Sequence, residues 1–255
     1  MVVKVGTSSL TDESSRLDVG KMAKVVSGLM DLKRRGKDPI LVSSGAIGAG
    51  MGRLNLSERP ESVPQLQAAA AIGQGIMMHI YEYFFNNYGQ SIAQLLLTAD
   101  DFNNPVRYGN LASALETLIE WGVLPIINEN DTVAVEEIKV GDNDTLAAYV
   151  AMGINAELLI ILTDVDGLYT KNPRRSDDWE LIEVVEEVTP EIERLASRDG
   201  KGFGGMYTKV HAAKLLAEKG IPTVIANGNK PDILKTIFEG NVGTFFLPQR
   251  REKDV

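Results

Sequence analysis

Three stretches of this chain hold the residue types best suited to chemistry. Two are acidic and asparagine-rich, Asn128-Glu129-Asn130-Asp131 and Gly141-Asp142-Asn143-Asp144; the third runs Gly202-Phe203-Gly204-Gly205-Met206-Tyr207-Thr208-Lys209. Carboxylates and amides held in tight turns suit a ligand with an ammonium group. Backbone N–H groups released by glycine and followed by a lysine suit phosphate oxygens. Together they imply phosphoryl transfer to a small molecule.

Shorter motifs add to this. Lys4-Val5-Gly6-Thr7-Ser8-Ser9 puts a lysine near the carboxyl end of the first apolar run, the edge at which parallel sheets bind ligands. By itself it also fits a surface lysine before an ordinary turn. Ser43-Ser44-Gly45-Ala46-Ile47-Gly48-Ala49-Gly50 has the wrong glycine spacing for a dinucleotide fingerprint and lacks the lysine and hydroxyl that end a P-loop. It reads as a strand-to-turn unit rich in N–H donors. Thr163-Asp164-Val165-Asp166-Gly167-Leu168-Tyr169 follows another apolar run without the spacing of a calcium loop, so a structural turn or a wall of a nucleotide pocket is expected there.

The elements that must position these motifs are legible as alternation. Short runs rich in Val, Ile and Leu (2–5, 40–42, 92–97, 124–127, 158–162, 223–226) read as buried strands. Between them lie stretches of helical period at 19–35, 64–88, 108–121, 143–152, 209–219 and 232–238. This is the signature of βαβ units around a mostly parallel sheet. Asp18 is the expected cap of the first helix and Gly36 its stop. A hairpin over 132–140 and a short strand over 181–185 are further expectations. The tract 172–178 is the most loop-like and could divide two lobes. The helix over 64–88 carries an apolar stripe of Ile76, Met77, Ile80, Tyr83 and Phe84, which either packs on the sheet or meets another copy.

Composition narrows the class. With 255 residues, 44% of them apolar, the chain can bury a sizeable core, and a net charge of −9 offers no basic stripe for nucleic acid. The absence of cysteine excludes disulfide and thiolate chemistry. Neither a signal-peptide core nor the roughly 18 apolar residues of a membrane span is seen, so the cytoplasm is expected, with no membrane partner. His79 and His211 are far apart and lie in helical patterns, which argues against a metal pair.

The blocks KVGTS (4–8), SSGAI (43–47), QLLLT (94–98), INEND (127–131), VGDND (140–144), LTD (162–164) and GGMYTK (204–209), in this order and spacing, closely resemble the glutamate 5-kinase family of the amino acid kinase superfamily. The likeness spans almost the whole chain. It implies an α/β three-layer sandwich with a central, mostly parallel sheet, as a single domain: a glutamate-binding lobe over about 1–155, an ATP-binding lobe over about 156–255, and no C-terminal PUA domain. It implies phosphorylation of the γ-carboxylate of L-glutamate by ATP with Mg²⁺, the first step of proline biosynthesis, in a homo-oligomer that proline could inhibit. By the same likeness Lys4 and Lys209 straddle the transferring group, Asp144 holds both ammonium groups, and Ser44, Asp131 and Asn143 bind glutamate. Thr163, Asp164 and the run Phe203, Gly204, Gly205, Met206, Tyr207, Thr208 and Lys209 bind ATP. No protein ligand for the metal is implied. Phe203 stands where the family usually has threonine, which puts that side-chain contact in question. Acetylglutamate kinase, uridylate kinase and a non-catalytic sensor share the fold. The first is disfavoured because its substrate has no ammonium for Asp131, the second because the pocket turns lack arginine, and the third because Lys4, Asp144 and Lys209 are all present.

Overall fold

The computed structural model describes residues 1–12, 14, 16–134, 143–171, 178–197, 205–240 and 242–249. Among them eight strands form one sheet: β1 Val2–Val5, β2 Ile40–Ser43, β3 Ile92–Leu97, β4 Leu124–Glu129, β5 Leu159–Thr163, β6 Val184–Val185, β7 Thr223–Asn227 and β8 Thr244–Phe246. Their order is β3-β4-β2-β1-β5-β7-β8-β6, and every pairing is parallel except β7 with β8. The central strands β1, β2, β4 and β5 are buried at every residue. Their unbroken apolar runs are what a sheet covered on both faces requires.

Side-chain alternation divides the core in two. Val2, Ile40 and Ile161 face one layer and Val3, Leu41 and Ile160 the other. The first layer contains α5 Pro105–Glu120, α6 Asp144–Gly153, α7 Pro190–Ser197 and α8 Met206–Ala217; the second contains α1 Val19–Arg34, α3 Val63–Asn86 and α9 Ile233–Glu239. The expected three-layer α/β sandwich is therefore observed. Asp18 caps α1 by accepting from the Lys21 N–H at 3.0 Å, and Gly36 follows its end at φ +75°. Trp121 and Gly122 close α5, whose start lies three residues before the expected one because Asn104 caps it and Pro105 fits the first turn. A short helix, α4 Ala99–Asn103, precedes it.

Two expectations change. The segment after β2 is not an open glycine turn: Gly45, at φ +103°, turns directly into α2 Ala46–Leu54, so Gly48 and Gly50 are helical. A Cβ on Gly50 would stand 1.9 Å from the Ala69 carbonyl oxygen, and one on Gly73 would stand 1.7 Å from the Ala46 oxygen. These glycines let α2 and α3 cross in backbone contact. The stripe on α3 also splits, since Met77 is buried with Tyr81 and Phe85 while Tyr83 is 65% exposed. Of the expected hairpin, 132–134 belong to a turn and the rest lies outside the described residues, as do 172–177 of the loop-like tract. The expected strand over 181–185 reduces to β6 and a bridge from Leu181 to Tyr169. The helix α7 and the antiparallel strand β8 lacked a clear pattern in the sequence.

Candidate active site

The carboxyl ends of β1, β2, β4, β5 and β7 open on one edge of the sheet, and the predicted residues gather there. Asp144 begins α6, where a helix N-terminus favours a carboxylate, and its side chain is fully buried. Its Oδ1 lies 2.6 Å from Lys4 Nζ of β1, and its Oδ2 lies 2.8 Å from Lys209 Nζ in the first turn of α8. The Thr208 hydroxyl lies 2.9 Å from the same Oδ2. Lys4 and Lys209 are 2% and 7% exposed, so two ammonium groups and the carboxylate between them share a dehydrated site. Burying an ammonium without compensation is costly; a carboxylate between two of them offsets that cost and fixes where they point.

Gly205 precedes α8 at φ +73° and ψ −139°, a conformation open in practice only to glycine, and its carbonyl lies 3.3 Å from Lys209 Nζ and 3.0 Å from the Thr208 hydroxyl. The first-turn N–H groups of α8 have no intrahelical acceptor, which makes this end attractive to anions. Met206 and Tyr207 occupy that turn half-buried. Phe203 and Gly204 lie outside the described residues. Across the edge, the Thr163 carbonyl accepts from the Gly228 N–H at 2.8 Å, and the Thr163 hydroxyl lies 3.2 Å from Asp164 Oδ1, with Asp164 exposed. Asn227 and Lys230 both contact Asp166, at 2.9 Å and 3.0 Å. Burial pushes the Asp166 carboxyl upward, but these two partners together hold it below the usual carboxylate range.

On the other flank, Asn143 Nδ2 donates to the Ser43 carbonyl at 2.8 Å and to Asn128 Oδ1 at 2.7 Å, with Ser44 Oγ at 3.3 Å. Asn143 and Ser44 are thus brought together beside the lysines. Beneath them the Ser43 hydroxyl meets the fully buried Tyr81 hydroxyl at 2.9 Å, and burial drives that phenol far above its ordinary pKa, so it stays neutral. Asp131 is not in this cluster. It is half-buried on the wall of a neighbouring cavity of about 280 Å³, with Glu129, Asn130, Gln74 and Gly75. That volume is near the lower end for small-molecule sites.

Sequence reasoning missed Gln74, which joins this cavity to the Asn128 side chain through a 2.8 Å hydrogen bond. Its signal was the run Gly73-Gln74-Gly75 inside a long helix, since each glycine costs helix stability and so points to a packing or ligand reason. Among the described residues no group of three His, Cys, Asp or Glu is placed to hold a metal ion. No helix among them is long and apolar enough to cross a membrane.

The chain is similar to known proteins. The amino acid kinase family model matches residues 1–227. A glutamate 5-kinase of Caldanaerobacter subterraneus subsp. tengcongensis is 54% identical over 253 residues, covering 98% of this chain and 68% of that protein. A glutamate 5-kinase of Clostridium tetani is 50% identical, covering 96% and 93%. Among solved structures, carbamate kinase from Giardia lamblia bound to AMP-PNP superposes with a TM-score of 0.66 at 21% identity over 97% of this chain and 98% of that one. UMP kinase from Bacillus anthracis does so at 0.67 and 12% over 98% and 96%, so these two likenesses speak to the fold alone.

Proposed function

This chain belongs to the amino acid kinase family, among its glutamate 5-kinases, and on that premise we propose that it transfers the γ-phosphoryl group of ATP to the γ-carboxylate of L-glutamate, giving L-glutamyl 5-phosphate for proline biosynthesis. The observation that carries the reading is the buried Lys4–Asp144–Lys209 cluster at the mouth of the sheet.

The chemistry asks little covalent work of the protein. A carboxylate of pKa about 4.3 is already ionised near neutrality, so no base is needed. Its oxygen attacks the γ-phosphorus, an O–P bond forms as the bond to the β-phosphate oxygen breaks, and the departing electron pair leaves with ADP. No proton moves. Lys4 and Lys209 bring positive charge to the oxygens of the transferring group, where demand peaks in the transition state, and Asp144 keeps both ammonium groups from rotating away. Magnesium arrives with ATP as part of the co-substrate. We assign glutamate to Ser44, Asn143 and Asp131 in the lobe over about 1–155, and ATP to Thr163, Asp164 and 203–209 in the lobe over about 156–255. Asp131 meets the α-ammonium, which N-acetylglutamate lacks as a charge. Cytoplasmic location, proline inhibition and homo-oligomerisation belong to the same reading. Tyr83 and Ile72, exposed on α3, offer a surface for the last, which light scattering tests.

The decisive experiment is ADP release from Mg·ATP with and without L-glutamate, with hydroxylamine added to trap the acyl phosphate as a hydroxamate. Glutamate-dependent ADP and hydroxamate in equal amounts are expected. ADP release indifferent to glutamate overturns the assignment.

A further inference from the structure

The hydrogen bonds under the Asn128 turn run in one direction, and they end at a donor with no acceptor among the described residues. The Ser43 carbonyl can only accept, so the Asn143 atom 2.8 Å from it is the amide nitrogen. That nitrogen lies 2.7 Å from the Asn128 side chain, which must offer its oxygen, and the Glu129 backbone N–H makes the same demand at 2.9 Å. Asn128 therefore turns its own nitrogen to Gln74, 2.8 Å from Oε1. Two backbone groups thus fix the Gln74 amide with Nε2 away from Asn128. Nε2 is cut off from water and has no hydrogen-bond partner among the described residues. Buried donors in this condition are rare and call for an explanation. Gln74 lines the cavity that also holds Asp131, and Gly75 beside it contributes no side chain to fill the space.

We propose that Gln74 Nε2 is a specificity-determining donor to the α-carboxylate of the amino-acid substrate, an inference that rests on the phosphotransfer reading above. With the γ-carboxylate at Lys4 and Lys209, the other end of the substrate carries one ammonium and one carboxylate. Asp131 suits the ammonium. Glu129 and Asp131 alone would repel the carboxylate, and Gln74 gives that wall a donor without adding charge. Gln94 reaches the same cavity from the edge strand β3, but it is exposed and water can serve its amide. Because the orientation of Gln74 is inherited from the Ser43 carbonyl and the Glu129 N–H through Asn143 and Asn128, the two ends of the substrate are read by one connected chain of amides.

The test compares L-glutamate with its α-amide on the parent and on two variants. Gln74→Glu keeps an oxygen towards Asn128 and changes the outer end from donor to acceptor, so a purely structural role leaves selectivity where it was. Gln74→Met removes the donor without adding charge. The parent is expected to prefer glutamate over the α-amide by about tenfold or more, as sites built around a buried polar contact do. Gln74→Glu should raise KM for glutamate by roughly 10–100-fold, leave KM for ATP within about twofold, and reverse the preference towards the α-amide. Gln74→Met should bring the preference close to unity, and it decides the matter if Gln74→Glu shows no cooperative melt. A parent that turns over glutamate while the folded variants keep its KM and preference overturns the Gln74 assignment and leaves phosphotransfer standing. A parent with no glutamate-dependent turnover overturns both.

Discussion

The two flanks of the site solve the same problem, holding polar groups still in a dry place, by opposite means. Around Asp144 the means is charge: one carboxylate fixes two ammonium groups drawn from β1 and α8, at 2.6 and 2.8 Å. Around Asn128 it is neutral amides, whose direction is set by the Ser43 carbonyl and the Glu129 N–H. A charged knot fails as a unit, because removing one member strips the buried charges that remain of a partner. An amide chain fails by degrees, because each link loses one hydrogen bond and its neighbours can reorient. The first suits groups that must stay charged near a phosphoryl group; the second suits groups that must tell one neutral or anionic end from another.

The sharpest way to break this contrast is Asp144→Ala. Two buried ammonium groups then lose the carboxylate between them, and a loss of about 3–5 kcal/mol of stability is expected together with loss of turnover, read by urea unfolding and ADP release. Stability within about 1 kcal/mol of the parent would mean that water reaches the lysines and the knot is not buried in solution. Next, Lys209→Ala should lower kcat by about 10²-fold or more with a smaller change in KM for ATP, and Lys4→Ala should behave alike. Turnover within threefold of the parent would remove either lysine from the chemistry.

On the amide flank, Asp131→Ala should raise KM for glutamate by about 10- to 100-fold, corresponding to about 1.4 kcal/mol per tenfold step, and leave KM for ATP nearly unchanged. An effect felt mainly at ATP would move this wall to the other ligand. The smallest effect concerns Asp166, whose carboxyl Asn227 and Lys230 hold below its ordinary value of 3.8. A depressed carboxyl contributes stability above its unfolded pKa and loses it as pH falls through the folded value. Asp166→Asn should therefore lower the urea midpoint slightly at pH 7, and the gap should close as pH falls below about 4. A gap independent of pH would show that Asn227 and Lys230 do not favour the charged form.

The fold was largely legible because its strands are buried on both faces and read as plain apolar runs, and because Asp18 and Gly36 punctuate α1 with ordinary cap chemistry. Lys4, Asp144 and Lys209 were named from motifs, but their meeting at one carboxylate depends on the order β2-β1-β5, which no local pattern encodes. The segment after β2 misled for a physical reason: glycine permits both ligand approach and helix approach, and only the partner backbone of Ala69 shows that Gly50 serves the second. Gln74 stayed hidden because a lone amide inside a helical pattern looks like solvent-facing surface until its neighbours are placed. The short β8 and β6 carried too few residues to show a period.

The span between Lys4 and Lys209 also has a clock attached. Chains grow at about 5–20 residues per second, so the roughly 200 residues between the two lysines take some 10–40 s to make. For about the first 140 of those residues Lys4 has emerged without Asp144, the carboxylate that lets it be buried, and β5, the neighbour of β1 on one side, follows shortly after. The first strand translated thus gains β2 early and β5 only much later, and the lysine at its end must wait in water until Asp144 arrives.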